Sequence, residues 1–378
     1  GKNNYTKMEK EVARITGEAL GLKEINVSDN FYELGMDSIF AMRIINQLFI
    51  STRIKVNIAD FFAHLTVCDL AQYIEEKTVL QDSNRNMSKD IEKVGGREYY
   101  PVSSAQKRMY IISKIENNTA YNLSEAIIIT GTIDTRKVEE ALNGLIKRHE
   151  ILRTSYDMVD GEIVQKIENQ VDLKITYLIL ENADVVADCG EKFDELVKPF
   201  DLSKAPLLRV MLVKIKQDQH VLMFDMHHII SDGRSRDILI KEFILLYKGD
   251  ELPELKLQYK DYAVWQNNLL QSGEMGKQKE FWLEVFKDKI PLLNMPCDYP
   301  RRDVLDFKGD AVSFDIGEEL TLSLRALGRE TDTTIFMVLL SIYYIFLSRH
   351  SGQEDIVVGT VIEGRFNPDL DLLIGLFV

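Results

Sequence analysis

A chain of 378 residues, 45% hydrophobic and 28% charged, exceeds one ordinary core and points to two or three globular domains. Its formal charge of −14 argues against nucleic acid as a partner, because phosphate contact needs a basic stripe. Cys68, Cys189 and Cys297 are widely spaced, which suits a reducing compartment and no disulfide framework. The opening Gly1-Lys2-Asn3-Asn4-Tyr5 carries no apolar leader, and no uncharged run reaches spanning length. The expectation is a cytoplasmic protein with no membrane partner.

The first eighty residues read as helical. Met8, Val12, Ile15 and Ala19 recur on one helix face. A second helix is expected from Ser38, with Ile39, Met42, Ile45 and Phe49 on one side. A last one opens at Thr66-Val67-Cys68-Asp69, a capping-box-like start, and buries Leu70 and Ile74. Between the first two lies Asp29-Asn30-Phe31-Tyr32-Glu33-Leu34-Gly35-Met36-Asp37-Ser38. Gly35 permits a sharp turn, and Ser38 falls at a helix N-terminus, where backbone N–H groups favour an attached phosphate. Read alone, Ser38 is more simply a plain N-cap, a common fate for serine. Residues 81–98 are polar and charged, contain Gly95-Gly96, and read as a flexible linker.

The remainder alternates strands and helices. Asn122 to Thr130 reads as a strand, and Asp134 to His149 as a helix burying Val138, Leu142, Leu145 and Ile146. Met158 to Val164 reads as a hairpin turning on Asp160-Gly161. Val221-Leu222-Met223-Phe224 is a buried strand, and a helix carries Ile238-Leu239-Ile240 and Ile244-Leu245-Leu246. A second α/β stretch, Ala311 to Gly359, holds the apolar helix Ile335 to Leu340. Two α/β lobes are expected, with the loop after the buried strand near their junction.

That loop is Met226-His227-His228-Ile229-Ile230-Ser231-Asp232-Gly233. It places imidazole, carboxylate and a flexible backbone at a strand end, and imidazole is suited to moving protons near neutral pH. Metal binding is disfavoured, because no Cys or third His stands at ligand spacing nearby. His149 reads as a capping or packing residue, and Tyr262 and Trp265 as core. His64, His220 and His350 have no motif around them.

The stretch Asp29 to Ile39, with Val56 to Phe62 and Thr66-Val67, resembles the modification site of peptidyl and acyl carrier proteins. By that resemblance Ser38, with Asp37 beside it, would carry covalent 4′-phosphopantetheine. Many peptidyl carriers have Gly-Gly-His-Ser where this chain has Gly35-Met36-Asp37-Ser38, which leaves the cargo open. Six further motifs occur in order. They are Ser103 to Tyr110, Arg148 to Thr154, Met226 to Gly233, Tyr259 to Gln266, Gly359 to Arg365 and Ile374 to Val378. Together they resemble the condensation domain of nonribosomal peptide synthetases. A cyclisation domain would carry aspartates for the histidines, and Ser235-Arg236 lacks the Ser-Trp of an epimerisation domain.

The resemblance implies a small all-α carrier bundle (1–80), a linker (81–98) and an α/β two-lobed condensation domain (99–378) of chloramphenicol-acetyltransferase-like fold. Because family members continue beyond Phe377-Val378, the second lobe is expected to be incomplete. It implies His228 as the group that deprotonates or orients the attacking amine, and His227 as structural. Asp232 would be either a second base or, as the family favours, a structural anion paired with Arg365. Gly233 would admit the substrate and offer an N–H to the oxyanion. Implied partners are donor and acceptor acyl or aminoacyl thioesters, a downstream carrier, an adenylation domain and a phosphopantetheinyl transferase. The competing readings are a coenzyme A acyltransferase and a non-catalytic fragment that presents the carrier.

Overall fold

The computed structural model describes residues 5–22, 24–36, 38–52, 54, 56, 58–81, 91–115, 119–180, 187–300, 309, 311–331 and 333–378. The chain divides into two units, residues 1–88 with 286–360 and 366–368, and residues 89–285 with 361–365 and 369–378.

The N-terminal helices are α1 (Lys7–Leu20), α2 (Ser38–Thr52), α3 (Ile58–Ala63) and α4 (Val67–Gln81). Thr6 and Glu9 form a reciprocal capping box at α1, and Gly21 ends the helix in the left-handed conformation at φ 71°. Val12, Ile15 and Ala19 are buried, as the periodicity requires. Of the stripe expected on α2, Ile45 is buried and Phe49 half-buried, and Ala41, Ile44 and Leu48, which that stripe did not include, are buried as well. The side chains of Ile39 and Met42 lie outside the described residues. This helix is apolar on several sides, so periodicity admits more than one inward face. Packing in a core with Phe31, Phe61 and Ile74 selects one. Thr66 Oγ1 accepts from Asp69 N–H at 3.1 Å, and Leu70 and Ile74 are fully buried.

The second unit holds β1 (Tyr100–Pro101), α5 (Ser104–Ile115), β2 (Asn122–Thr130), α6 (Thr135–Arg148), β3 (Thr154–Val159) and β4 (Glu162–Ile167). It continues with β5 (Ile175–Ile179), α7 (Ala187–Leu196), β6 (Leu208–Lys216), β7 (Gln219–His227), α8 (Gly233–Lys248), α9 (Tyr259–Gln271) and α10 (Gly276–Val285). Asp134 caps α6, accepting from Arg136 N–H. The β3–β4 hairpin turns on Asp160 (φ 51°) and Gly161 (φ 83°), the positive pair that a two-residue turn of this hand demands.

Two sheets form, β1-β4-β3 and β2-β7-β6-β5, the second with only β5 parallel to its neighbour. One face of the larger sheet, with Val210, Leu212, Leu222 and Phe224, shares a core with Val138, Leu142 and Leu145 of α6 and Leu239 and Phe243 of α8. The other face, with Met211, Val213, Val221 and Met223, shares a core with Cys189 and Leu196 of α7. Strand β7 is covered on both faces, which is why it reads as a continuous apolar run.

The expected linker requires a correction. Residues 82–90 lie outside the described residues, but 91–98 are held against the second unit. Ile91 is buried in its main core, Val94 N–H donates to Asp261 Oδ1 at 2.8 Å, and Arg97 N–H donates to Tyr100 Oη at 2.8 Å. Polar composition signals solvation, and it cannot show that a carboxylate 167 residues away takes one of the amides.

Beyond residue 286 come α11 (Glu318–Glu330) and α12 (Ile335–Ser351), the latter capped by Thr334. Of the α/β character expected for 311–359, the described residues show helices alone. Val312, Phe314 and Ile316, alternating residues of strand type, are exposed and join no ladder among the described residues. Among the described residues no single helix is long and apolar enough to cross a membrane; α11 and α12 reach that composition only as a pair bent by 104°.

Candidate active site

Register brings the histidine loop to a defined end of the larger sheet. Asn122 at the start of β2 pairs with His227 at the end of β7, and the next amide, His228 N–H, donates to Tyr121 C=O at 2.8 Å. The chain then turns through a three-residue 3-10 segment, His228–Ile230, closed by Ser231 N–H on His228 C=O at 3.2 Å, and enters α8 at Gly233.

The two imidazoles have opposite environments. His227 is 4% exposed, and its ring meets Phe200 edge-on at 6.1 Å. Its Nδ1 accepts from Ile229 N–H at 3.0 Å, so in the neutral ring the proton lies on Nε2, 3.3 Å from Ser113 Oγ. Burial, with His228 adding, pulls its pKa down to about 4. His228 is half-buried. Its Nδ1 lies 2.7 Å from the Ser231 carbonyl oxygen, which can only accept, so Nδ1 carries the proton. The neutral His228 ring therefore presents an Nε2 lone pair.

Asp232 is the N-cap of α8 and is 1% exposed. Its Oδ1 accepts from Ser235 N–H at 2.8 Å and Ser235 Oγ–H at 2.6 Å, and its Oδ2 accepts from Phe377 N–H at 3.1 Å. Arg365 Nη2 lies 3.2 Å from Oδ1, both side chains being 1% exposed. Arg365 Nη1 donates to the Leu370 and Leu373 carbonyls at 2.7 and 2.6 Å, and the guanidinium lies 4.0 Å from the Phe377 ring centroid. Burial lowers the Arg365 pKa and Asp232 offsets part of that. With both oxygens hydrogen-bonded and only 1% exposure, the Asp232 carboxylate turns no oxygen toward solvent.

Ser235, Phe377 and Gly375 complete this cluster, and the sequence assigned none of them a part in it. Ser235 Oγ also accepts from Gly375 N–H at 3.0 Å. A Cβ at Gly375 would sit 2.0 Å from Tyr259 Cδ2, and one at Gly364 2.3 Å from the Phe377 carbonyl oxygen, so both glycines permit close packing. Gly233 differs, since a Cβ there would meet no atom within 4 Å. It opens α8, where early N–H groups lack intrahelical acceptors. Open space, an N–H donor and the His228 ring thus belong to one loop. Arg234 adds a cation that pairs with Glu363 at 3.1 Å and Asp371 at 3.5 Å.

His149 is buried against Glu242, with Nε2 2.7 Å from Oε2, and Arg148 Nε lies 3.1 Å from the same carboxylate oxygen. Burial lowers its pKa despite Glu242, consistent with a packing residue. Tyr262 is buried and Trp265 packs on the same core. Among the described residues no group of His, Cys, Asp and Glu is placed to hold a metal ion.

In the N-terminal helices, Asp37 and the Ser38 side chain lie outside the described residues, but Ser38 is the first residue of α2. The turn before it is ordered by Gly35 N–H on Tyr32 C=O at 3.0 Å and Met36 N–H on Phe31 C=O at 3.1 Å, with Gly35 at φ 83°. From Ser38 on, no acidic residue stands in the first turn of this 15-residue helix, whose N-terminus is the positive end of its dipole. A phosphodiester on residue 38 fits that environment.

The fold has solved counterparts. The X-domain from teicoplanin biosynthesis aligns with a TM-score of 0.69 at 24% identity, over 76% of this chain and 65% of that one. The condensation domain of the monacolin K polyketide synthase aligns with a TM-score of 0.65 at 22% identity, over 76% and 67%. At these identities the likeness is one of fold. Residues 96–378 match the condensation domain family, and residues 10–74 match the phosphopantetheine attachment site family. The chain belongs to the condensation domain family, preceded by a phosphopantetheine carrier domain. Gramicidin S synthase 2 of Brevibacillus brevis is 44% identical over 374 residues, 99% of this chain and 8% of that protein. Tyrocidine synthase 3 of Brevibacillus parabrevis is 42% identical over 373 residues, 98% of this chain and 6% of that protein. The chain spans less than a tenth of the length of these relatives.

Proposed function

We propose that this chain is the carrier–condensation portion of a cytoplasmic modular nonribosomal peptide synthetase. In this reading Ser38 holds the donor, and the second unit joins it to an acceptor amine delivered by a downstream carrier. An adenylation domain would supply the aminoacyl groups, and a phosphopantetheinyl transferase would modify Ser38. The phosphopantetheine arm, when attached, supplies a thiol that presents the acyl group as an activated thioester.

One observation carries the reading. The Ser231 carbonyl locks the His228 proton on Nδ1, so Nε2 is left as an acceptor in the loop that also offers the open space and N–H of Gly233. Nε2 takes the proton of the attacking amine, or accepts its hydrogen bond and aligns its lone pair. The nitrogen–carbonyl bond forms, the carbon–sulfur bond breaks, and the leaving thiolate takes up the proton that the amine gives up. Holding both tethered reactants together contributes up to roughly 7–11 kcal/mol at the ideal limit, and one oxyanion donor about 3 kcal/mol. His227, neutral and bonded at both nitrogens, braces the turn, and Asp232 with Arg365 anchors its exit.

The test is amide formation between an aminoacyl group loaded on Ser38 and an acceptor aminoacyl carrier, followed by product mass. His228→Ala should slow it by about 10²–10⁴-fold with little change in melting temperature. Unchanged turnover in that variant would remove His228 from the chemistry.

A further inference from the structure

The histidine turn has a second support, remote in sequence. The carbonyl of Ile229, a fully buried residue, takes its side-chain hydrogen bonds from Gln106 Nε2 at 3.2 Å and Tyr156 Oη at 3.4 Å. Both side chains are fully buried, and they touch each other at 2.8 Å. Burial pushes the Tyr156 phenol well above its ordinary pKa, so it stays a donor. Gln106 is itself gripped. Its Oε1 accepts from Ser103 N–H at 3.1 Å, and its own N–H donates to Ser103 Oγ at 3.2 Å. Ser103 Oγ lies 2.8 Å from Tyr259 Oη, which donates to Leu376 C=O at 2.5 Å. A buried chain of hydrogen bonds thus joins α5, β3 and α9 to the segment that bonds Asp232.

We infer that Gln106, with Tyr156, is the positioning residue of His228. Ile229 lies between His228 and the Ser231 carbonyl that holds the His228 proton on Nδ1. Without the Gln106 amide the buried Ile229 carbonyl keeps the longer Tyr156 contact at 3.4 Å, and the Ile229–Ile230 peptide regains a second, shorter partner only by rotating. That rotation carries the Ser231 carbonyl away from Nδ1 and frees the ring to take the other tautomer. The amide of Gln106 therefore decides which ring nitrogen faces the amine, without touching substrate.

This deepens the role given to His228 and rests on it for its catalytic consequence only. Ring protonation is observable without turnover, so the two failures are distinguishable. The experiment is a long-range ¹H–¹⁵N correlation spectrum of the full chain labelled at its six histidines, with His228 assigned by its loss in His228→Gln. In the wild type His228 should appear as the Nδ1–H form. Gln106→Met keeps the side-chain volume and removes both polar atoms, and it should lower the tautomer ratio by about tenfold, the factor set by one net hydrogen bond. The His149 signals, set by Glu242, should stay in place. Where Gln106→Met does not fold, Tyr156→Phe removes one donor and should shift the ratio in the same direction. A folded variant with an unchanged His228 tautomer ratio overturns the inference. A shifted ratio in a chain that forms no amide upholds the positioning and overturns only the catalytic reading.

Discussion

Removing one partner of the Asp232–Arg365 pair should reveal how the exit of the histidine loop is held. In Asp232→Ala, α8 loses its cap, worth about 1 kcal/mol, and Ser235 and Phe377 each lose the acceptor of their N–H. Arg365 keeps the Leu370 and Leu373 carbonyls and the partly exposed Glu363 at 3.3 Å, but loses its fully buried counter-charge. The sum falls at about 3–5 kcal/mol, the usual cost of breaking a buried pair from one side. Arg365→Met should cost a similar amount by removing a donor from those two carbonyls and leaving the buried Asp232 carboxylate without its cation. In the double variant no uncompensated charge remains, so its loss should fall short of the sum of the singles by about 2 kcal/mol. Both tryptophans, Trp265 and Trp282, lie in the second unit, so urea unfolding followed by their fluorescence reads that unit selectively. At a slope of roughly 2.5 kcal/mol per M, each single variant moves the midpoint down by about 1.5 M. Strict additivity would refute the pairing argument. Wild-type stability with abolished activity in Asp232→Ala would return that carboxylate to the chemistry.

Gly375→Ala drives a methyl group into the Tyr259 ring, 2.0 Å from Cδ2, and should cost about 1–3 kcal/mol or more in thermal unfolding. Gly233→Ala, which meets nothing, should leave stability unchanged while slowing amide formation if substrate uses that space. Acid should weaken the second unit through His227. The folded pKa of about 4 lies below the unfolded value near 6.5, so this contribution is complete above pH 6.5 and is lost as pH falls toward 4. Between pH 6.5 and 5 the loss is about 2 kcal/mol, His149 acting in the same direction, and His227→Gln should flatten the dependence of the urea midpoint on pH. Treatment with coenzyme A and a phosphopantetheinyl transferase should raise the intact mass, and Ser38→Ala should abolish the increase; an increase that persists would place the attachment elsewhere.

Short-range rules were legible in the chain itself. The inward face of α1, the helix α6, the Asp160-Gly161 turn and the strand leading into His227 each depend on residues a few positions apart, and local periodicity and turn chemistry express them directly. The histidine string marked its loop, but Arg365 entered only through likeness to a family. Tertiary structure decided the rest. It chose among the apolar sides of α2, drew residues 91–98 onto the second unit, and brought Ser235 to Gly375 and Asp232 to Phe377 across 140 and 145 residues. It also aimed Gln106 at the Ile229 carbonyl, 123 residues away. A hydrogen bond is directional and reaches about 3 Å. Which distant polar groups meet therefore depends on the packed path of the chain, and no pattern within a short window of sequence encodes that path.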